Sequence, residues 1–279
     1  MSSAIKLTST GHALSDSNWL DTHFQSARAE YAESLRWVGI PPGWSVLDAG
    51  CGSGGFLPLI SELVGAKGTV IAMDLAPENV AHVEEIIRNG HLPANVSAKV
   101  GSLLSLPFKD STFDCVWSAN VMQYLTEVEF DRAMAEFKRV LRPGGTLAVK
   151  DFDVSVVQFI PMDPGIIDRY FALYRAAYAK TGTLSAGCGP YLPARLRSAG
   201  VSEIQRKAWL VERWAPVAPA TRSFAASCLK RWAEMAAEYG VTPADLKIWR
   251  DTAANPDFLI DNPDYCFREG FVVAVGKVK

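Results

Sequence analysis

The chain has 279 residues, 49% of them hydrophobic and 21% charged, with a formal net charge of −2. That length suits one large α/β domain with additions, or two small domains. The slightly acidic balance argues against a broad nucleic-acid footprint, which needs clustered Lys and Arg, and leaves room for a local basic patch; no apolar run approaches the roughly 20 residues of a membrane-spanning helix.

Residues 1–16 are polar and rich in Ser and Thr, and read as an arm. A helix is expected from Ser17 or Asn18, both good caps. Leu20, Phe24, Ala27, Tyr31, Leu35 and Val38 mark one face of it, and Pro41-Pro42-Gly43 stops it. Strands and helices then alternate. Ser45–Ala49 reads as a buried strand, and Phe56 to Val64 as a helix ended by Gly65. Thr69–Asp74 is a second strand, and Pro77 opens a helix stopped by Asn89-Gly90. Val96–Val100 and Phe113–Ser118 are further strands. Thr126-Glu127-Val128-Glu129 is a capping box, and Arg142-Pro143-Gly144-Gly145 is a turn into a fifth strand, Thr146–Lys150. This alternation predicts a mostly parallel sheet with helices on both faces.

Beyond residue 150 the rhythm breaks. Helices are expected from Pro164, from Pro193 to Ala199, over about 220–239 and over 243–254. Strands are expected near Val201–Lys207 and at Phe271–Val278. Five cysteines, at 51, 115, 188, 228 and 266, show neither C-x-x-C pairing nor zinc-ligand spacing. They read as free thiols in a reducing compartment, the cytoplasm, and no metal site is expected. Met1 to Lys6 shows no secretory signal.

Asp48-Ala49-Gly50-Cys51-Gly52-Ser53-Gly54-Gly55 joins a strand end to a glycine-rich turn and a helix, a nucleotide-sized cradle. Its glycines also satisfy the dinucleotide spacing G-x-G-x-x-G, so an NAD(P) oxidoreductase is an alternative. Three features weigh against that. Asp48 would repel a pyrophosphate and suits an ammonium group. Asp74, at the end of the second strand, can accept both hydroxyl protons of a ribose. Leu106-Pro107-Phe108, Phe113-Asp114 and Arg139 to Gly145 follow in order.

Together these motifs resemble the class I S-adenosylmethionine-dependent methyltransferases, closest to the small-molecule type that includes ubiquinone and sterol methyltransferases. The resemblance covers residues 44–152. It implies a Rossmann-like, doubly wound α/β sheet of seven strands, mostly parallel with an antiparallel last strand, plus a helical lid. The chain divides accordingly into an N-terminal arm and lid helix (1–43), a cofactor-binding core (44–152), and lid helices with the final strands completing the core sheet (153–279). The resemblance implies that Asp48, Gly50, Gly52 and Gly54 hold the methionine part of S-adenosylmethionine. Asp74 would take the ribose, Leu75 would pack on the adenine, and Ser102 and Leu103 would reach its edge. Asn120 would stand between cofactor and substrate. Ser102 departs from the acidic residue common at that position, which makes its contact neutral.

Methyl transfer from a sulfonium is an in-line displacement, governed mainly by alignment and exclusion of water. A base is needed only where the acceptor must lose a proton. The four histidines, His12, His23, His82 and His91, all precede position 92, so no histidine base can come from the C-terminal half. His23, Tyr31 and Tyr124 are the catalytic candidates. Most tryptophans flank the core: Trp19, Trp37, Trp209, Trp214, Trp232 and Trp249. With Phe24, Tyr170, Phe171, Tyr174, Tyr178, Phe224 and Tyr239 they predict an aromatic cover over the strand ends and a hydrophobic or aromatic small-molecule acceptor. The acceptor atom is carbon, nitrogen or oxygen; the histidine-poor lid leans toward carbon, nitrogen or an oxygen methylated by proximity. Specialised metabolism is the expected setting. A cyclase or rearrangement enzyme that binds the same cofactor is the alternative on this fold. A homo-oligomer through the N-terminal arm is a further expectation.

Overall fold

The computed structural model describes residues 17–93, 95–185 and 187–279. The N-terminal arm through which an oligomer was expected lies outside the described residues.

Seven strands form one sheet: β1 (Ser45–Ala49), β2 (Thr69–Asp74), β3 (Val96–Val100), β4 (Phe113–Ala119), β5 (Leu141–Ile160), β6 (Ser202–Trp214) and β7 (Cys266–Lys277). Their order is β3-β2-β1-β4-β5-β7-β6. The first five are mutually parallel, and β7 runs antiparallel to both β5 and β6. Strand order reverses beside β1 and β4, so their carboxyl ends open a crevice at the topological switch point.

Helices α1 (Ser17–Ser26), α2 (Arg28–Val38), α3 (Leu57–Val64) and α4 (Pro77–Arg88) precede β3. Leu35, Ile60, Val64 and Val83 from three of them bury one sheet face together with Val46, Val70 and Trp117. On the other face α5 (Glu127–Val140) and α7 (Leu192–Ser198) bury Phe130, Phe137 and Leu196 against Leu47, Val116 and Leu147. The predicted capping box at the head of α5 is made: the Glu129 amide donates to Thr126 Oγ1, and Glu129 accepts from the Thr126 amide.

A third core belongs to the cover. The helices α6 (Pro164–Ala179), α8 (Pro219–Tyr239), α9 (Pro243–Ala254) and α10 (Pro256–Ile260) pack Tyr170, Phe171, Leu229, Trp249 and Ile260 against Val157, Phe159 and Phe267. Those last three residues stand on β5 and β7, which run on together past a register shift between Asp153 and Gln158. The cover therefore rests on an extension of the sheet itself.

Several sequence expectations change. The single N-terminal helix is two, broken at Ala27, whose backbone (φ −125°, ψ 20°) is non-helical. The fifth strand is far longer than Thr146–Lys150. It begins at Leu141 and takes in the expected Arg142–Gly145 turn, where Gly144 sits at φ +78°. It continues to Ile160, crossing the expected boundary after residue 152 without a break. The strand expected at Val201–Lys207 runs on to Trp214, and α10 was not foreseen. All five cysteines are free and buried. No helix among the described residues is long and apolar enough to cross a membrane.

Candidate active site

The crevice over the carboxyl ends of β1, β2 and β4 is one cavity of about 650 Å3. At its floor the chain leaves β1 and turns under Asp74. The amides of Gly50 and Cys51 both donate to the Met73 carbonyl, at 2.7 and 3.0 Å. Gly50 (φ +82°) and Gly52 (φ +54°) hold left-handed backbone that side chains rarely adopt. Space demands glycine as well: a Cβ on Gly50 would lie 2.4 Å from Val121, and one on Gly52 2.9 Å from Leu20 of α1. Gly55 is roofed in the same way by Phe24. Gly54, expected to hold the cofactor, does not line the cavity; a Cβ there would meet Leu57 and Val83. Its part is to let the turn close, with its amide donating to the Cys51 carbonyl at 2.9 Å.

Two carboxylates face this floor. Asp74 accepts from the Gly52 amide (2.9 Å), the Ala76 amide (2.9 Å) and Asn79 Nδ2 (3.3 Å), which lock its orientation at the mouth. Asp48 is 1% exposed, and its Oδ2 has no hydrogen-bond partner. Burial, and then the charge of Asp74, push its carboxyl up to about 8. A buried carboxyl with an unpartnered oxygen, beside a second acid, suits a cationic group. Leu75, half exposed at 52%, presents an apolar face at the rim, with Ser102 and Leu103 beside it. Ser102 Oγ accepts from the Leu104 amide at 3.2 Å.

Asn120 follows β4 with φ +60°, a strained value for a non-glycine residue. Its Oδ1 accepts from Lys150 Nζ at 2.7 Å. Lys150 is fully buried, with its ammonium 4.2 Å from the Tyr31 ring centre and 4.4 Å from that of Phe271. Burial lowers its pKa, against the attraction of Asp151 and Glu269.

The catalytic candidates His23 and Tyr31 meet in the same cavity. His23 Nε2 lies 2.9 Å from the Tyr31 hydroxyl and 3.3 Å from Glu269 Oε1. Its ring stacks on Phe224 at 4.5 Å, with 10° between the planes. Glu269 also accepts from Arg213 Nη2 at 2.6 Å, and Arg213 Nε donates to the Ser26 carbonyl that ends α1. Burial by itself would raise the Glu269 carboxyl, but Arg213 and His23 outweigh it and hold it at about 2. Burial and the Glu269 charge push the Tyr31 hydroxyl well above its usual value, so it stays a donor at neutral pH. Neutral His23 with Nε2 bare accepts from Tyr31; charged, it donates from Nε2 to Glu269. Tyr124, on a short 3-10 turn (Met122–Tyr124), lines the cavity beyond Asn120, its hydroxyl also raised by burial.

Other candidates are placed elsewhere. His82 Nε2 faces Asp21 of α1 at 3.9 Å, His91 is exposed, and His12 lies outside the described residues. The predicted aromatic cover divides. Trp19, Phe24, Phe171, Tyr174, Tyr178, Phe224 and Trp232 line the cavity. Tyr170 and Trp249 fill the core of the cover, Trp37 packs edge-on to Trp209, and Trp214 is exposed. Sequence reasoning missed Lys150, Arg213 and Glu269. The signal was present for two of them: Lys150 and Glu269 adjoin apolar runs of β5 and β7, where burial tolerates a charge only when it is paired, whereas Arg213 stands in a mostly polar strand that gives no such cue.

Comparison with known proteins agrees with this geometry. Residues 46–145 match the family described as "Methyltransferase domain". The ubiquinone/menaquinone biosynthesis C-methyltransferase UbiE of Erwinia tasmaniensis is 36% identical over 159 residues, 57% of this chain and 61% of that protein. UbiE of Citrobacter koseri is 34% identical over 120 residues, 43% of this chain and 47% of that protein. The chain thus spans about half the length of these curated relatives. Among solved structures, YcgJ of Bacillus subtilis superposes with a TM-score of 0.55 at 19% identity, covering 90% of this chain and 99% of that one. Phosphoethanolamine N-methyltransferase 2 of Haemonchus contortus, solved with S-adenosyl-L-methionine, gives 0.53 at 16%, covering 90% and 53%. At these identities the two structures speak for the fold alone. The orphaned Asp48, the locked Asp74 and a turn that admits only glycine fit a cationic, ribose-bearing cofactor. Residues 46–145 form a methyltransferase domain of the class I S-adenosylmethionine-dependent kind, and S-adenosylmethionine is its cofactor.

Proposed function

We propose that the whole chain is an enzyme that methylates a hydrophobic or aromatic small molecule in the cytoplasm, within specialised metabolism. The observation that carries this reading is the continuity of the cavity. Asp48 and Asp74 at one end and Phe171, Phe224 and Trp232 at the other line the same space. His23, Tyr31 and Asn120 line it as well. The cofactor, when bound, supplies an electrophilic methyl group on a sulfonium.

The protein's own residues supply the rest. Asp48 holds the ammonium of the methionine part, Asp74 the ribose hydroxyls, and Leu75, Ser102 and Leu103 the adenine. Gly50 and Gly52 admit the backbone's close approach. Leu20 and Phe24 of α1 roof the turn and exclude water. Tyr31, Tyr124 and Asn120 orient the acceptor. His23 takes the proton of an acidic acceptor, and Glu269 stabilises the imidazolium that results. The quinone C-methyltransferases among the relatives make an activated aromatic carbon the first acceptor class to test.

The test is incubation of the protein with S-adenosylmethionine and a panel of phenols, hydroquinones and arylamines, with S-adenosylhomocysteine and product mass followed together. A methylated product in equal amount with S-adenosylhomocysteine is expected. Product without S-adenosylhomocysteine would reassign the site to cyclisation or rearrangement. Absence of cofactor binding at millimolar concentration would overturn the reading.

A further inference from the structure

Among the described residues the cavity is lined by four acids, Asp48, Asp74, Glu129 and Glu269, and by one arginine, Arg231, with no lysine. The acids are accounted for: two face the cradle, Glu129 closes the cap of α5, and Glu269 is paired with Arg213. Arg231 is not. Its Nε is buried without a hydrogen-bond partner. Its nearest acid, Glu234, lies 3.8 Å from Nη1, beyond hydrogen-bond range, and is half exposed. Arg139, Arg169, Arg195, Arg213, Arg222 and Arg268, by contrast, all donate to carboxylates at normal or short distances. A desolvated guanidinium nitrogen left unmatched at a cavity wall is costly, and a ligand oxygen would offset that cost.

Its position gives the ligand a length. Phe224, Cys228, Arg231, Trp232 and Met235 share the face of α8 that lines the cavity, at helical spacing. Phe224 is stacked on His23. Arg231 follows seven residues later, about 10 Å further along the helix axis. The wall between them is apolar. A single cation in such surroundings suits a monoanion; a dianionic phosphate would be left with uncompensated buried charge.

We propose that Arg231 is the anion subsite for the acceptor, taking a carboxylate borne on an apolar or aromatic body about 10 Å from the atom that receives the methyl group. The inference rests on the methyltransferase reading of the cavity and adds the acceptor's second functional group. Planar, bidentate carboxylate recognition is what a guanidinium does and an ammonium does not.

The probe is a rigid biphenyl with a hydroxyl at one end and a carboxylate at the other, compared with its carboxamide and its phosphonate. Binding is measured by calorimetry to the full chain saturated with S-adenosylhomocysteine. The carboxylate is expected to bind roughly tenfold or more tightly than the carboxamide. Arg231→Gln removes that preference while leaving S-adenosylhomocysteine binding and the carboxamide affinity within about twofold, and Arg231→Lys restores only part of it. An absent preference in the wild type, weak binding of both probes included, would overturn the proposal, as would a preference that survives Arg231→Gln. Tighter binding of the phosphonate would also overturn it, in favour of a dianion. Failure to bind S-adenosylhomocysteine is a separate outcome, which strikes at the methyltransferase reading itself.

Discussion

Asp48, Gly50, Gly52 and Asp74 reach the cavity from one βαβ unit, whereas His23, Arg213, Arg231 and Glu269 come from α1, β6, α8 and β7. At the cofactor end, backbone geometry does the positioning. Strand pairing holds Asp48 beside Ala72 in β2, and the turn that follows is closed by amides on the Met73 carbonyl. At the acceptor end, side chains far apart in sequence hold one another: Arg213 ties Glu269 to the last carbonyl of α1, and Glu269 faces His23. The first arrangement is local and repeats wherever the motif occurs. The second exists only once the sheet has closed and the cover has docked, and it is there that related enzymes can diverge in substrate.

That contrast can be broken at the acceptor end first. His23→Gln is expected to lower kcat by about 10²–10⁴-fold for an acceptor that must lose a proton, with cofactor affinity preserved. Single-turnover kinetics with the hydroquinone that works best would show it. An unchanged kcat would mean that alignment alone drives transfer. Glu269→Gln should cost about 3–5 kcal/mol in urea unfolding at pH 7, because Arg213 is left buried and unpaired. The pH profile separates this from a packing defect. Glu269 is depressed to about 2, so its contribution is present above the unfolded carboxyl value near 4 and is lost as pH falls toward 2. The wild type should weaken across that window more steeply than the variant.

At the cofactor end, Asp48→Asn should weaken S-adenosylmethionine binding about 100-fold, or about 2.7 kcal/mol, by calorimetry. It should do so without destabilising the free protein. The Asp48 carboxyl is raised to about 8, so its favourable neutral form is present below the unfolded value near 4 and its contribution declines as pH rises through 8. The cofactor-free variant is therefore expected to gain stability over the wild type toward pH 8, measured by thermal unfolding. A loss of stability there would remove Asp48 as an orphaned charge. The smallest effect belongs to neither end: Lys247→Ala breaks an exposed pair with Asp251 on α9 and should shift stability by less than about 0.5 kcal/mol.

The cofactor end was largely legible in the sequence. The β/α alternation through Ala119, the capping box at Thr126 and the acid at each strand end all stand where expected, because local periodicity and turn chemistry dictate them. Gly54 is the exception. Spacing cannot tell a glycine that faces a ligand from one that lets Leu57 and Val83 close behind the turn. The cover was legible only as a composition. Its aromatic residues were visible, but not which of them line the cavity, since Trp232 and Trp249 lie on neighbouring helices and one faces the cavity while the other fills the core. The break at Ala27 was hidden for a related reason: the apolar spacing continues through it, so only backbone angles reveal that α1 turns to roof the glycine loop.

By itself the sequence determined the class of fold and the cofactor, since those follow from strand ends, glycine spacing and acids a short distance apart in the chain. The tertiary structure alone decided that His23 would meet Glu269, that Lys150 would hold Asn120, and that Arg231 Nε would be buried at a cavity wall without a hydrogen-bond partner. Each of those outcomes depends on long-range docking, in which burial turns an ordinary surface charge into one that must find a partner.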